Sequence, residues 1–135
     1  MAAIAVLGTL DTKATEHAFL ADCIRRRGHD VLLIDVGTGG PPQCAADITR
    51  EEVATAGGLD LTTLMTRGDR GECVAAISTA APHMLKRLQQ AGRIAGVVSL
   101  GGGGGTAIAS AAMRALPLGF PKLIVSTLAV GNTAP

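Results

Sequence analysis

Ile94-Ala95-Gly96-Val97-Val98-Ser99-Leu100 runs directly into Gly101-Gly102-Gly103-Gly104-Gly105-Thr106. A short apolar run without polar alternation marks a strand covered on both faces, as in a parallel sheet. Glycine then stops it. Three other runs have the same form. Ala3 to Leu7 ends at Gly8, and Val31 to Val36 ends at Gly37 and the turn-rich Thr38-Gly39-Gly40-Pro41-Pro42. Leu123 to Thr127 follows Pro121.

Helical patterns fill the gaps. Thr12 to Arg27 reads as a helix capped by Thr12 or Thr15, with Ala18, Phe19, Leu20, Ala21, Cys23 and Ile24 as its apolar face. Arg25, Arg26 and Arg27 lie in its last turn, where cations complement the dipole, and Gly28 ends it. Thr49-Arg50-Glu51-Glu52 opens a short helix that stops before Gly57-Gly58, and an irregular or helical turn follows at Leu59 to Leu64. From Arg70 to Gly92 a long pattern puts Val74, Ile77, Ala81, Met84, Leu85 and Leu88 on one side, with a bend or break expected at Pro82. The last helix is read as Thr106 to Leu116. Strand–helix alternation of this kind specifies an α/β three-layer domain with a mostly parallel sheet of about four strands and right-handed crossovers.

Composition narrows the function classes. The 135 residues fit one domain, and 47% hydrophobic against 17% charged residues excludes a disordered chain. With two Phe and neither Trp nor Tyr, the core must be built from Ala, Val, Ile and Leu. A net charge of +1 provides no field for nucleic acid or membrane, and the lack of aromatics removes the usual platform for stacked bases. Cys23, Cys44 and Cys73 are odd in number and widely spaced, which suits free thiols in a reducing compartment better than a disulfide framework or zinc site. Met1 to Leu7 lacks the basic flank of a signal peptide, and no apolar run reaches the ~20 residues of a membrane span. The expected location is the cytoplasm, and the expected ligand is a small molecule.

In an open parallel sheet, ligands bind beyond the carboxyl ends of the strands. Four segments fall there: Gly8 to Lys13, Asp35 to Gly40, Gly101 to Thr106, and Ser126 to Thr133. Five glycines between a buried strand and a helix are costly, and a simple connection needs one or two. Close approach of backbone N–H groups to an anion explains them better than tight packing does, with Thr106 adding a hydroxyl. The loop lacks the Gly-Lys-Ser/Thr ending of a Walker A motif. In the first segment Thr9 and Thr12 offer hydroxyls and Lys13 a cation. Asp11 suits a magnesium-bound water or ligand hydroxyl, and equally suits an ordinary helix cap. Asp35 occupies the position of the ribose-binding acid in dinucleotide folds, and equally suits capping of a loop amide. His17, His29 and His83 read as surface or capping residues, and no nucleophile–base set stands out. Whether the chain is an enzyme is left open.

These motifs together resemble the ATP-binding domain family typified by the tomato mosaic virus resistance protein, with bacterial and fungal relatives. The resemblance is carried, in order, by Gly8-Thr9-Leu10-Asp11-Thr12-Lys13, Asp35-Val36-Gly37, Arg70-Gly71-Glu72, Leu100 to Thr106, Met113 to Pro117, Pro121-Lys122-Leu123, and Ser126-Thr127 with Gly131-Asn132-Thr133. Gly103 stands where the family usually has Ser, which leaves a backbone cradle and removes one hydroxyl. The resemblance implies a Rossmann-like three-layer subdomain that binds ATP, alone or with Mg²⁺, through Gly8, Thr9, Leu10, Asp11, Thr12, Lys13, Asp35, Gly37, Gly101, Gly102, Gly103, Gly104, Gly105, Thr106, Ser126, Thr127, Gly131, Asn132 and Thr133. It also implies a second α/β subdomain after the Asn-Thr-Ala-Pro segment. The expectation is therefore a subdomain that either self-associates or packs against a missing partner subdomain. The alternatives are part of an enzyme acting on a phosphorylated or carboxylated metabolite, and a protein-interaction module stabilised by nucleotide.

Overall fold

The computed structural model describes residues 2–129. Four parallel strands, β1 (Ala3–Gly8), β2 (Val31–Asp35), β3 (Ile94–Gly101) and β4 (Lys122–Ser126), lie in the order β2-β1-β3-β4. The helices are α1 (Ala14–Arg26), α2 (Arg50–Ala56), α3 (Leu61–Thr66), α4 (Arg70–Gln90) and α5 (Gly103–Met113). This is the three-layer α/β arrangement that the alternating pattern specifies.

The period-two alternation of a strand divides the core. Ala5, Leu7, Ile34 and Val97 pack against α2, α4 and α5 in the larger cluster. Val6, Leu33 and Val98 point the other way and pack with Leu10, Ala14, Leu20 and Ile24 from the α1 side. Leu123 pairs with Val98 and shares that second face, but α1 does not reach it. Leu123 is 60% and Val125 57% exposed, so the sheet keeps an open apolar face at β4.

Local chemistry explains most of the helix ends. Thr49 and Glu52 form a capping box on α2, while Asp60 caps α3 and Asp69 caps α4. Two expectations about helix interiors need correction. Of the bend or break expected at Pro82 the break does not occur, since α4 continues through it, held by the buried row Cys73, Ile77, Ala80, Ala81, Met84, Leu85 and Leu88. Phe19, expected on the apolar face of α1, is 57% exposed, because burial there falls on Ala14, His17 and Ala21.

Candidate functional site

The strand order reverses at β1. The chain steps from β1 to β2 on one side and later places β3 on the other, so a crevice opens between the carboxyl ends of β1 and β3. A cleft of about 630 Å³ occupies that place. This lies within the roughly 300–1,000 Å³ usual for small-molecule sites. Thr9, Asp11, Thr12 and Lys13 line it from the β1–α1 loop, Thr38, Gly39 and Gly40 from the loop after β2, and Gly102 to Gly105 from the start of α5. A further wall comes from α3 and α4, with Met65, Gly68, Asp69, Arg70, Cys73 and Val74.

The glycine run is partly helix. Gly103, Gly104 and Gly105 form the first turn of α5, which therefore starts three residues earlier than its apolar pattern suggested. None of Gly101 to Gly105 has a positive φ, so backbone strain does not require glycine there. Packing requires it at Gly101, where a Cβ would come within 2.8 Å of the Thr106 nitrogen. At Gly103 a Cβ would meet nothing within 4 Å, and at Gly104 and Gly105 only ordinary contacts at 3.9 Å. Three poor helix formers thus occupy a helix turn beside open space. Their amides are the orphan donors of a helix start, and no side chain caps α5. The start of α1 also lacks a side-chain cap, with Lys13 at its N-cap position, whereas α2, α3 and α4 are all capped.

Beneath these loops lies a polar network. Asp35 is 1% exposed, and its Oδ1 accepts the Leu10 N–H at 3.1 Å and the Gly37 N–H at 2.8 Å. Burial raises the carboxyl pKa, the two backbone amides and the Arg50 guanidinium oppose that rise, and Asp11 adds to it. Of its two expected roles, Asp35 takes the loop cap, and it does not line the cleft. Asp11 caps no helix. Its Oδ2 accepts the Gly39 N–H at 2.9 Å, tying two cleft loops together, and its Oδ1 is enclosed without a partner. A Cβ on Gly37 would collide with Asp11 Oδ1, which accounts for that glycine. Arg50 is buried as well, its Nη1 donating to the Gly40 carbonyl at 2.7 Å.

Other expected site residues are structural. Leu10 is a core side chain, and Gly8 is free of a Cβ that would strike the His17 ring. The Thr106 and Ser126 hydroxyls bond each other at 2.6 Å, and Thr127 donates its N–H to the Gly101 carbonyl at 3.1 Å. None of these six residues lines the cleft, nor does Gly37. Gly131, Asn132 and Thr133 lie outside the described residues.

His17, expected in a surface or capping role, is fully buried. Its Nδ1 lies 2.7 Å from the Lys13 carbonyl and its Nε2 accepts the Leu100 N–H at 3.2 Å, which places the ring proton on Nδ1. The ring thereby fixes the start of α1 to the end of β3, on either side of the crevice. The contribution of Arg70, Met65 and Val74 is also absent from the strand-end reading, since it depends on α3 and α4 returning across the sheet.

Among the described residues no three His, Cys, Asp or Glu side chains gather as a metal centre. Asp69 already accepts the Glu72 N–H, and Asp11 Oδ1 is enclosed. Mg²⁺ is commonly held by one or two carboxylates together with the phosphates of its ligand, and the carboxylates that line the cleft are Asp11 and Asp69. No helix among the described residues is long and apolar enough to cross a membrane.

Comparison with known proteins places the chain in a family and leaves the chemistry open. Residues 2–135 match the model of the uncharacterised protein family UPF0261, N-terminal domain. A UPF0261 protein of Clostridium tetani is 45% identical over 132 residues, which cover 98% of this chain and 33% of that protein. One from Mesorhizobium japonicum is 45% identical over 137 residues, covering 100% and 33%. The ToMV resistance protein Tm-1(GCR237) of Solanum lycopersicum is 34% identical over 142 residues, covering 94% of this chain and 19% of its own length. The chain spans about a third of the length of the bacterial relatives it matches. It belongs to the UPF0261 family, whose N-terminal domain it represents.

Proposed function

We propose that the cleft between β1 and β3 binds a phosphate-bearing small molecule, with ATP the leading candidate. The observation that carries this reading is the first turn of α5. Gly103, Gly104 and Gly105 are required neither by φ nor by protein packing, and their missing side chains leave space on the cleft side. An anion seated there would use their free amides and the positive end of the helix. Thr9, Thr12 and Lys13 supply hydroxyls and a cation from the facing loop. Mg²⁺, where it takes part, would arrive on the phosphates. ATP itself is the ligand that the family resemblance implies.

NAD is the weaker candidate because Asp35, the residue placed to hold a ribose, is enclosed under Leu10 and Gly37. Calorimetric titration with ATP, ADP, AMP and NAD, paired with thermal melts, tests the reading. ATP should bind and NAD should bind least. At 100 times its Kd, ATP should stabilise the fold by about 2.7 kcal/mol. No heat and no melting shift at millimolar ATP with Mg²⁺ would contradict it.

A further inference from the structure

We infer that Arg70 is an anion-binding residue and that, together with Lys13, it selects ligands carrying a di- or triphosphate over monophosphates and carboxylates. This rests on the proposed phosphate reading and names the ligand class within it. Both side chains line the same cleft, Lys13 from the β1–α1 loop and Arg70 from the α4 wall. Each stands where an isolated helix would disfavour it. Lys13 is the N-cap residue of α1 and Arg70 the first residue of α4, both next to the positive end of a helix dipole. Among the described residues neither has an ion-pair partner, a state they share with most cations of the chain, and what sets these two apart is their place in the cleft.

The cleft also holds two acids, each engaged by a backbone amide of the protein. Asp69 is engaged with the Glu72 N–H as the α4 cap. Asp11 gives Oδ2 to Gly39 and has Oδ1 enclosed against Gly37. Two unpaired cations, one on each of two walls, and the open amides of Gly103 to Gly105 on a third make three positive surfaces around one space. A single phosphate or carboxylate satisfies one or two of them. A chain of two or three phosphates can reach all three, with one phosphate at the α5 turn and the remainder between Lys13 and Arg70. A nucleotide and an inorganic polyphosphate share this chemistry.

Titration of the wild type and Arg70→Ala with ATP, AMP and inorganic tripolyphosphate separates the possibilities, with Arg114→Ala, which does not line the cleft, as a control. Loss of a charge-assisted contact should weaken ATP and tripolyphosphate about tenfold or more. AMP should change less than about twofold, and Arg114→Ala should change nothing. The unliganded Arg70→Ala protein should melt at the same temperature or higher, because a cation has left a helix start. Undiminished ATP affinity in Arg70→Ala would overturn the inference and leave the phosphate reading standing, as would an equal loss for AMP and ATP. Binding of tripolyphosphate with the Arg70 dependence but no binding of ATP would support the clamp and refute the nucleotide. Failure of the wild type to bind any of the three would overturn both.

Discussion

Asp35 shapes the edge that carries the cleft without lining the cleft itself. Its one oxygen collects two loop amides, from Leu10 and Gly37, and so holds the loop after β1 against the loop after β2. The position of this acid at a strand end is legible in the sequence. Its direction is not, because that depends on whether the loops fold back over the carboxylate. Burial raises its pKa, and the sign of the consequence follows from linkage. The folded state binds the proton more tightly than the unfolded chain, so this contribution to stability is full below the ordinary Asp range and is lost as pH rises through the raised pKa. Asp35→Asn retains an acceptor oxygen and cannot ionise. Denaturant melts of both proteins should therefore show the variant gaining on the wild type as pH rises from about 4 towards 7. A difference that stays flat, or runs the other way, would contradict this assignment.

Among the elements, α5 departs furthest from its sequence pattern. Glycine is a poor helix former, so the apolar rhythm beginning at Thr106 naturally reads as the helix start. The end of β3 instead hands the chain directly into the helix, with the Thr106 N–H bonded to the Gly102 carbonyl at 2.9 Å. α4 shows a similar override, since its long buried row carries the helix through Pro82. The α5 turn gives a two-sided prediction. Gly103→Ala with Gly104→Ala should stabilise the unliganded protein, by up to about 0.5–1 kcal/mol per site, because both positions are helical and neither Cβ meets an obstacle. The same methyl groups enter the ligand's space, so phosphate binding should fall sharply. Thermal melts and an ATP titration of the double variant read the two effects. A destabilised variant, or one that binds as before, would reduce these glycines to features of the fold.

At the scale of the molecule, the sheet order turns separate motifs into one site. Four strands, their parallel sense and the edge at which the cleft opens are legible from the continuous apolar runs and their glycine stops. The order β2-β1-β3-β4 is not, and with it goes the assignment of neighbours. The Gly8–Lys13 and Gly101–Thr106 segments flank the crevice because β1 and β3 are adjacent. Ser126 and Thr127 lie one strand further out and do not line it. Arg70 joins only because the segment between β2 and β3 packs back over the sheet. His17 binds the two sides together through contacts 83 residues apart in sequence, a link that no local pattern encodes. The central claim is that phosphate is bound by the exposed amides of the α5 turn. The most direct measurement is a backbone-amide NMR titration with ATP and Mg²⁺. The largest shifts should fall on Gly103, Gly104 and Gly105, with smaller ones at Thr9, Thr12 and Lys13. An ATP response that leaves these amides unmoved, or centres on the open β4 face around Leu123 and Val125, would contradict it.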